Sequence, residues 1–324
     1  MSEKFGWCFI GCGTLAKKVA AEILPSGRHK IVSVYGRSPD KCAAFAVEWG
    51  AKAFSTAEEA IGAEGVDAVY IVTTHPSHFA YAKLALAMGK SVLCEKPITV
   101  SYAQAKELIA FAERKKIYFA EAMWTWFSPV ARRVKAWLDA GEFGTIREVK
   151  TDCLCDGRGY ATRVTDPKEA GGALLDMAIY PVTYLYRLFG KPTDERCAAV
   201  LSDGIDWGEE IDLCFADGSV RRVSVSIRTP EGPMCITLRG DKATLCLPNF
   251  YYAGEAVLER ENGESEYFSG RCDYLNEFDI VASEIREGLS ESRYVPHRAT
   301  LDVMEILDNC RRQTGLQYPF ETDD

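Results

Sequence analysis

The chain has 324 residues, 47% of them hydrophobic, and a formal net charge of -9 at pH 7. Because single hydrophobic cores stop growing at roughly 250 to 300 residues, two domains are expected. The negative charge argues against a phosphate backbone or an anionic membrane as the main partner, so no nucleic-acid or membrane binding is predicted. A basic leader is lacking, and no apolar run approaches the ~18 residues of a membrane span, which predicts a cytoplasmic protein.

The sequence contains twelve cysteines, which are spread over apolar runs rather than spaced as a disulfide framework. They are interpreted as buried free thiols in a reducing cytoplasm. Cys153 and Cys155 lie on one face of a predicted strand, but no second pair and no nearby histidine accompany them. No metal site is predicted.

The first 120 residues alternate strand and helix patterns. Two capping boxes are predicted, one from Ser101 with Gln104 and one from Ser55 with Glu58, because each serine is followed three residues later by Gln or Glu. Strand, helix, strand at this spacing indicates a parallel, doubly wound α/β sheet. The predicted strands cover 5–10, 30–35, 66–73, 91–94 and 117–120, and the predicted helices cover 15–23, 40–49, 77–88 and 101–114.

After Trp124 the pattern changes. A helix over 129–138 and a strand over 146–155 precede an apolar helix over 173–189. Consecutive strands with glycine turns then run to about residue 259, and two helices close the chain. We therefore predict a nucleotide-binding domain at 1–123 and an α+β domain, dominated by antiparallel sheet, at 124–324.

A glycine-rich turn follows the first predicted strand and opens a helix. Gly11 permits a tight turn, and Gly13 lets the backbone approach a pyrophosphate. Amides at the helix start, beginning with Thr14 and Leu15, bind an anion. The alternative is a plain tight turn.

The next two strand ends carry further candidate cofactor contacts. Gly36 stands where an NAD site usually offers a carboxylate, and Arg37 with Ser38 suits a 2'-phosphate, so NADP is favoured over NAD. A solvated loop arginine is the alternative. Thr73, His75 and His78 follow the third strand and are candidates for the nicotinamide-ribose side; a structural hydrogen-bonding role is the alternative for His78.

Polar side chains in two apolar segments complete the candidate site. Glu95 and Lys96 end the fourth strand, and ligands of open parallel sheets bind outside the carboxyl ends of strands. Asp176 and Tyr180 are four apart in an apolar helix, where polar groups are costly unless they pair or face a cleft. A core tyrosine is the alternative. Arg163 is interpreted either as a substrate clamp or as a solvated side chain.

The segments GCGTLA, LCEKP, EAMWTWFSP and AGGALLDMAIYPV resemble the glucose-fructose oxidoreductase, inositol dehydrogenase and rhizopine catabolism (Gfo/Idh/MocA) family. Within it, the chain is most similar to dimeric dihydrodiol dehydrogenases and NADP-dependent D-xylose dehydrogenases. The resemblance implies a Rossmann domain followed by a domain with a large open sheet that often forms a dimer interface. It implies that Lys96, Asp176 and Tyr180 are catalytic, and we expect Trp124 to contact the substrate. Trp126 departs from the family, because such relatives usually carry arginine there.

These features predict an NADP-dependent oxidoreductase that moves a hydride between nicotinamide and the carbinol or carbonyl of a sugar, polyol or trans-dihydrodiol. Tyr180 would exchange the hydroxyl proton, and Lys96 would lower the tyrosine pKa and polarise the substrate oxygen. Asp176 would orient this pair or a second hydroxyl of the substrate. The alternatives are a non-catalytic NADP sensor and a cofactor-assisted glycosidase. Few helices accompany the strands of 193–259, which predicts a homodimer or a dimer of dimers.

Overall fold

The computed structural model of the protein describes residues 3–159, 162–229 and 232–321. Its helices are α1 (Thr14–Ile23), α2 (Pro39–Trp49), α3 (Ala57–Ile61), α4 (His75–Ala87), α5 (Tyr102–Lys115), α6 (Pro129–Asp139), α7 (Ile179–Phe189), α8 (Tyr274–Arg286) and α9 (His297–Thr314). Its strands are β1 (Phe5–Ile10), β2 (His29–Tyr35), β3 (Lys52–Ala53), β4 (Ala68–Ile71), β5 (Ser91–Glu95), β6 (Phe119–Ala122), β7 (Ile146–Leu154), β8 (Asp194–Ser202), β9 (Ile205–Cys214), β10 (Val220–Ser226), β11 (Met234–Gly240), β12 (Ala243–Pro248), β13 (Glu255–Arg260) and β14 (Ser265–Ser269). None of the helices in the described ranges has both the length and the apolar character to cross a membrane.

The chain forms two compact units. The first takes the chain up to Trp124 together with Asp273–Thr300, and the second takes Thr125–Cys272 and the chain from Leu301 on. A single cut after residue 123 does not describe this division, because the chain returns to the first unit at Asp273.

The first unit is built on a parallel sheet with the order β3-β2-β1-β4-β5-β6. Every strand pair in it is parallel. The order runs outward from β1 in both directions, so the connections reverse between β1 and β4, where open α/β sheets bind ligands. The predicted doubly wound sheet is confirmed.

Aromatic packing explains why α8 belongs to the first unit. The Phe278 ring lies 4.6 Å from the ring of Trp7 and 5.0 Å from that of Tyr70, and it is fully buried. The Arg28 guanidinium also pairs with the Asp279 carboxylate at 2.6 Å. Burying an aromatic side chain of this size contributes about 2 to 3 kcal/mol, which holds α8 on the sheet.

The local predictions in this unit have mixed outcomes. Ser101 caps α5 as predicted, because its hydroxyl accepts the Gln104 amide hydrogen at 3.4 Å. The predicted cap at Ser55 is wrong: Thr56 caps α3, accepting from the Glu59 amide at 3.2 Å. The sequence prediction also lacks α3 and β3, because elements of five and two residues are too short to show a periodic pattern.

The second unit contains a sheet with the order β14-β13-β12-β11-β7-β10-β9-β8. All its pairs are antiparallel except β7 with β10. The predicted open, mostly antiparallel sheet is confirmed. One face is apolar and buried, with Ile211, Val223 and Ile236 on successive strands. The other carries cross-strand polar pairs, such as Arg222 with Asp212 at 2.7 Å.

The helix predicted over 173–189 is wrong at its first turn. Leu174–Ala178 forms a π-helix, and the regular helix α7 starts only at Ile179. The Asp206 carboxylate accepts the Leu174 amide hydrogen at 2.5 Å. Gly172, with a φ of +127°, approaches so closely that an added Cβ would lie 1.9 Å from Asp206 Oδ1. A contact made by β9 therefore sets the start of this helix.

Candidate active site

The glycine turn after β1 is held against two neighbouring strands. The Gly11 amide donates to the Tyr35 carbonyl oxygen at 2.8 Å. Gly11 has a φ of +117°, and an added Cβ would lie 2.5 Å from the Val72 carbonyl oxygen. No residue with a side chain fits this position without displacing the backbone. The turn is thereby fixed at the carboxyl ends of β1, β2 and β4.

The start of α1 has the properties of an anion-binding site. Gly13 is its N-cap and makes no side-chain capping hydrogen bond. An added Cβ at Gly13 would meet nothing within 4 Å, so the space beside the turn is open. The first amides of the helix, including those of Thr14 and Leu15, have no partner within the helix. The residues present therefore fit a dinucleotide's pyrophosphate.

The end of β2 offers a cation and a hydroxyl but no carboxylate. Arg37 is exposed, and Ser38 caps α2 by accepting the Lys41 amide hydrogen at 3.4 Å. As an acceptor in that bond, the Ser38 hydroxyl keeps its proton for donation. Two cysteine sulfurs lie close to Gly36: an added Cβ would be 3.1 Å from Cys42 Sγ and 3.2 Å from Cys12 Sγ. A side chain at position 36 would therefore crowd both sulfurs.

The end of β4 leads into α4, and its histidines lie at the start of that helix. His78 is fully buried, and its ring nitrogens contact the carbonyl oxygens of Pro97 at 2.8 Å and Thr73 at 3.3 Å. These contacts tie the segment after β4 to the segment after β5. They support the structural alternative for His78. The rings of His75 and His78 lie 5.9 Å apart, edge to face.

Lys96 follows β5 and is 9% exposed. The preceding carboxylate, Glu95, accepts the Tyr70 hydroxyl hydrogen at 2.5 Å and the Lys96 amide hydrogen at 3.3 Å. Burial and the Glu95 charge raise the pKa of Tyr70 well above its usual range, so this phenol stays protonated. The same two causes raise the pKa of the fully buried Glu277 carboxyl on α8.

A second buried carboxyl supports the same segment. Glu121 on β6 accepts the Ile98 amide hydrogen at 3.0 Å and the Thr300 hydroxyl hydrogen at 3.1 Å. Burial raises its pKa to about 7, and the Lys96 charge acts in the opposite direction. The sequence prediction lacks Glu121 and Glu277. Acidic residues inside apolar, buried segments are the signal that identifies them.

Trp124 packs within the first unit. Its ring stacks on Tyr274 at 5.0 Å, and the Lys18 ammonium lies 5.7 Å from the Trp124 ring centre and 5.3 Å from that of Tyr274. Trp124 Nε1 is buried without a hydrogen-bond partner among the described residues. The predicted substrate contact of Trp124 stays a prediction.

In the second unit, the π-helical turn carries Asp176. This carboxylate is buried and pairs with the Arg163 guanidinium at 3.2 Å. Arg163 is thus an ion-pair partner of Asp176, and its role as a substrate clamp stays a prediction. Turns of π-helix occur frequently at functional sites, because the extra residue redirects side chains.

Tyr180 lies in the first turn of α7 and is partly exposed. Its ring is 5.8 Å from that of Tyr251. Because the π-helical turn precedes it, regular α-helical spacing does not describe the step from Asp176 to Tyr180. One turn further along α7, Tyr184 is fully buried, and its hydroxyl has no hydrogen-bond partner among the described residues.

Trp126, the departure from the family pattern, is buried in the second unit. The Arg187 guanidinium carbon lies 4.3 Å from the centre of its ring, a cation–π contact. Burial lowers the pKa of Arg187 to about 10. The ring of Tyr184 lies 5.2 Å from the Trp126 ring. The Arg187 side chain of α7 thus contacts the Trp126 ring.

Comparison with known proteins shows the family. Residues 5–122 match the model of the oxidoreductase family with an NAD-binding Rossmann fold, and residues 131–246 match the GFO/IDH/MocA C-terminal domain. A trans-1,2-dihydrobenzene-1,2-diol dehydrogenase of Mus musculus is 30% identical, over 97% of this chain and 98% of the relative. A D-xylose 1-dehydrogenase (NADP(+)) of Hypocrea jecorina is 29% identical, over 97% and 93%. The chain belongs to the GFO/IDH/MocA oxidoreductase family.

Solved structures agree on the fold. A 3-ketoreductase from Actinomadura kijaniata, solved with NADP and TDP-benzene, superposes with a TM-score of 0.85 at 20% identity. The match covers 96% of this chain and 98% of that one. The predictions of the family, of the fold class and of an oxidoreductase are confirmed.

The Glu121 carboxyl predicts a pH dependence of stability. Its pKa rises from 4.5 to about 7 on folding, so between these values the folded state holds a proton that the unfolded state has lost. The contribution of this carboxyl to stability is complete below its unfolded-state pKa and is lost as the pH rises to its folded-state pKa. At roughly 1.4 kcal/mol per pKa unit, the loss amounts to about 3 kcal/mol. Glutamine does not titrate, so the free energy of unfolding of Glu121→Gln, measured with urea, should rise relative to that of the parent by this amount between pH ~4.5 and ~8.

The exposed Glu64 provides the matched control, because Glu64→Gln removes a carboxyl that water already solvates. Its unfolding curve should follow the parent at every pH. A constant difference in unfolding free energy between Glu121→Gln and the parent across this range would contradict the prediction.

Proposed function

We propose that this protein is an NADP-dependent dehydrogenase or reductase acting on a carbinol or carbonyl of a sugar, polyol or trans-dihydrodiol. The observation that carries the proposal is the uncapped start of α1 at Gly13, on the same sheet edge as Lys96. The named activities of the relatives from mouse and Hypocrea jecorina support the substrate class.

The cofactor would be held by the first unit. The amides of Thr14 and Leu15 would bind the pyrophosphate, and Arg37 with Ser38 would bind the 2'-phosphate. The absence of a carboxylate at Gly36 supports NADP over NAD, because a carboxylate there would repel the phosphate. When bound, the nicotinamide supplies or accepts the hydride.

Thr73, His75, Glu95 and Lys96 complete the proposed cofactor contacts. Each follows or ends a strand at the carboxyl edge of the parallel sheet. His78 would act by positioning the Thr73 and Pro97 backbone, since both of its ring nitrogens are engaged there.

Proton transfer is assigned to three side chains. Tyr180 would exchange a proton with the substrate hydroxyl, and the Lys96 ammonium would stabilise the phenolate and polarise the substrate oxygen. Asp176 would orient the substrate through a second hydroxyl. Its contact with Arg163 supports this role, because the ion pair fixes the carboxylate direction.

The proposed function also assigns a role to each domain and a location to the protein. Residues 1–123, together with the returning segment Asp273–Thr300, would form the NADP-binding domain, and the rest of 124–324 the substrate-binding and dimerisation domain. All twelve cysteines are free thiols, which supports the reducing environment of the cytoplasm.

A turnover assay tests the proposal as a whole. Aldoses, polyols, 1,2-dicarbonyls and trans-dihydrodiols are offered with NADP or NADPH, and absorbance of the reduced nicotinamide is followed. Cofactor binding without turnover on any member would favour a sensor. Glycoside cleavage without added cofactor would favour a hydrolase.

The cofactor assignment predicts the behaviour of Arg37→Ala. Loss of a charge-assisted hydrogen bond worth roughly 1.5 to 3 kcal/mol should weaken NADP by about 10 to 150-fold and change NAD little. Fluorescence titration with both cofactors measures this. Arg114→Ala, which removes an exposed arginine of α5, should leave both affinities unchanged. Equal weakening of NADP and NAD by Arg37→Ala would show that Arg37 does not recognise the phosphate.

The mechanism predicts the behaviour of Tyr180→Phe. It removes the proton-transfer group and should lower kcat by about 10² to 10⁴-fold with little change in NADPH affinity. Lys96→Met should also slow turnover, and the double variant should lose less than the product of the two effects, because groups that act together are non-additive.

Tyr184→Phe is the matched control for Tyr180→Phe. It removes a hydroxyl from the same helix, and this hydroxyl has no hydrogen-bond partner among the described residues. It should retain the parent kcat. If Tyr180→Phe also retained kcat and only lowered thermal stability, Tyr180 would be a packing residue.

The second unit predicts assembly of two copies through the exposed sheet face. Val200 on β8 is 58% exposed, and a groove beside it is lined by Ala198, Trp207 and Arg228. Sedimentation velocity should show a dimer or a dimer of dimers at micromolar concentration. Val200→Glu should shift it toward monomer, whereas Val47→Glu, at an 86% exposed position of α2, should not. A monomeric parent protein would contradict this assembly.

A further inference from the structure

Two cysteines of the first unit are in contact beside the glycine turn. Cys12 lies within the turn, Cys42 lies on α2, and their Sγ atoms are 3.3 Å apart. A disulfide bond is about 2.05 Å long, so its formation requires the sulfurs to approach by about 1.2 Å. We propose that Cys12 and Cys42 are a redox modification site, in which peroxide oxidation forms a disulfide and displaces the turn that binds the cofactor's pyrophosphate.

The two sulfurs lie next to both the glycine turn and the end of β2, the two segments proposed to bind the cofactor's phosphates. An added Cβ at Gly36 would lie within 3.2 Å of each sulfur, and Cys42 Sγ lies 3.7 Å from the Gly36 carbonyl oxygen. The sulfurs therefore occupy the space beside the residue that precedes Arg37. On the other side, Cys12 is bonded to Gly11 and Gly13. Because protein interiors are close-packed, we expect a shift of about 1 Å in this pair to displace the turn, the end of β2 or α2.

The two thiols differ in access. Cys12 is partly exposed, and it lies two residues before the first residue of α1. Cys42 is buried, and burial together with Cys12 raises its pKa to about 12. Cys12 is therefore the thiol that meets the oxidant, and Cys42 is the thiol that resolves the product.

The chemistry balances with one peroxide. The Cys12 thiolate attacks one peroxide oxygen, the O–O bond breaks, and a sulfenic acid forms while hydroxide takes a proton and leaves as water. The Cys42 sulfur then displaces the hydroxyl from the Cys12 sulfur, the S–O bond breaks, and the S–S bond forms with release of a second water. Two thiols and one hydrogen peroxide give one disulfide and two waters, and the two electrons lost by sulfur reduce the peroxide.

The effect on cofactor binding rests on the proposed function, whereas the cross-link does not. The reduced protein is treated with hydrogen peroxide, its remaining thiols are alkylated, and its peptides are mapped by mass spectrometry. We expect a Cys12–Cys42 linked peptide, loss of two of the twelve alkylatable thiols, and reversal by dithiothreitol. NADPH affinity of the oxidised protein should fall by about tenfold, the effect of losing one hydrogen bond to a charged group.

Cys12→Ser and Cys42→Ser should each abolish the linked peptide and the loss of affinity. Cys214→Ser, which removes a partly exposed thiol from β9, should retain both effects. Oxidation of other cysteines with Cys12 and Cys42 left unlinked would overturn the modification site. A linked protein that binds NADPH as tightly as the reduced one would overturn the coupling to the turn. Reduced protein that does not bind NADPH would overturn the proposed function, and the linked peptide would still decide the site.

Discussion

The hydrogen bond from Tyr70 to the Glu95 carboxylate is the interaction on which the candidate site depends. It joins β4 to β5 at 2.5 Å, one residue before Lys96, in a place closed to solvent. A buried carboxylate without donors would cost several kcal/mol, so the Tyr70 hydroxyl and the Lys96 amide are needed to keep it there. From β6, Glu121 holds the Ile98 amide in the same way. The lysine is thus carried by backbone that three strands fix.

The buried carboxyls of this region influence one another's pKa. Glu95 lies near Glu277, whose pKa is raised well above its usual range by burial and by the Glu95 charge. Burial and the Glu95 charge therefore favour the protonated form of the Glu277 carboxyl by raising its pKa. Glu121 is half ionised near pH 7 and feels the opposing effects of Glu95 and Lys96. The Lys96 charge thus favours ionisation of the Glu121 carboxyl, and the Glu95 charge opposes it.

Much of the fold and part of the site can be predicted from the sequence, because their signals are local. The alternation of strands and helices, the glycine turn and the Ser101 cap each depend on neighbouring residues. The π-helical turn before α7 cannot be predicted this way, because it depends on Asp206, some thirty residues later. The place of α8 in the first unit depends on contacts of Phe278 with Trp7 and Tyr70. The apolar context of Glu277 is visible in the sequence, but the charge of Glu95 that raises its pKa comes from a strand far away along the chain.

The return of α8 to the first unit affects the order in which the chain can fold during synthesis. When residues up to 124 have left the ribosome, the sheet has its strands but lacks Phe278, and the Trp7 and Tyr70 faces that it covers are open to water. The first unit reaches its native packing only after Asp273–Thr300 has been made. Long-range closure of this kind slows folding and prolongs the exposure of apolar surface. An isolated fragment ending at residue 124 would accordingly be prone to aggregation.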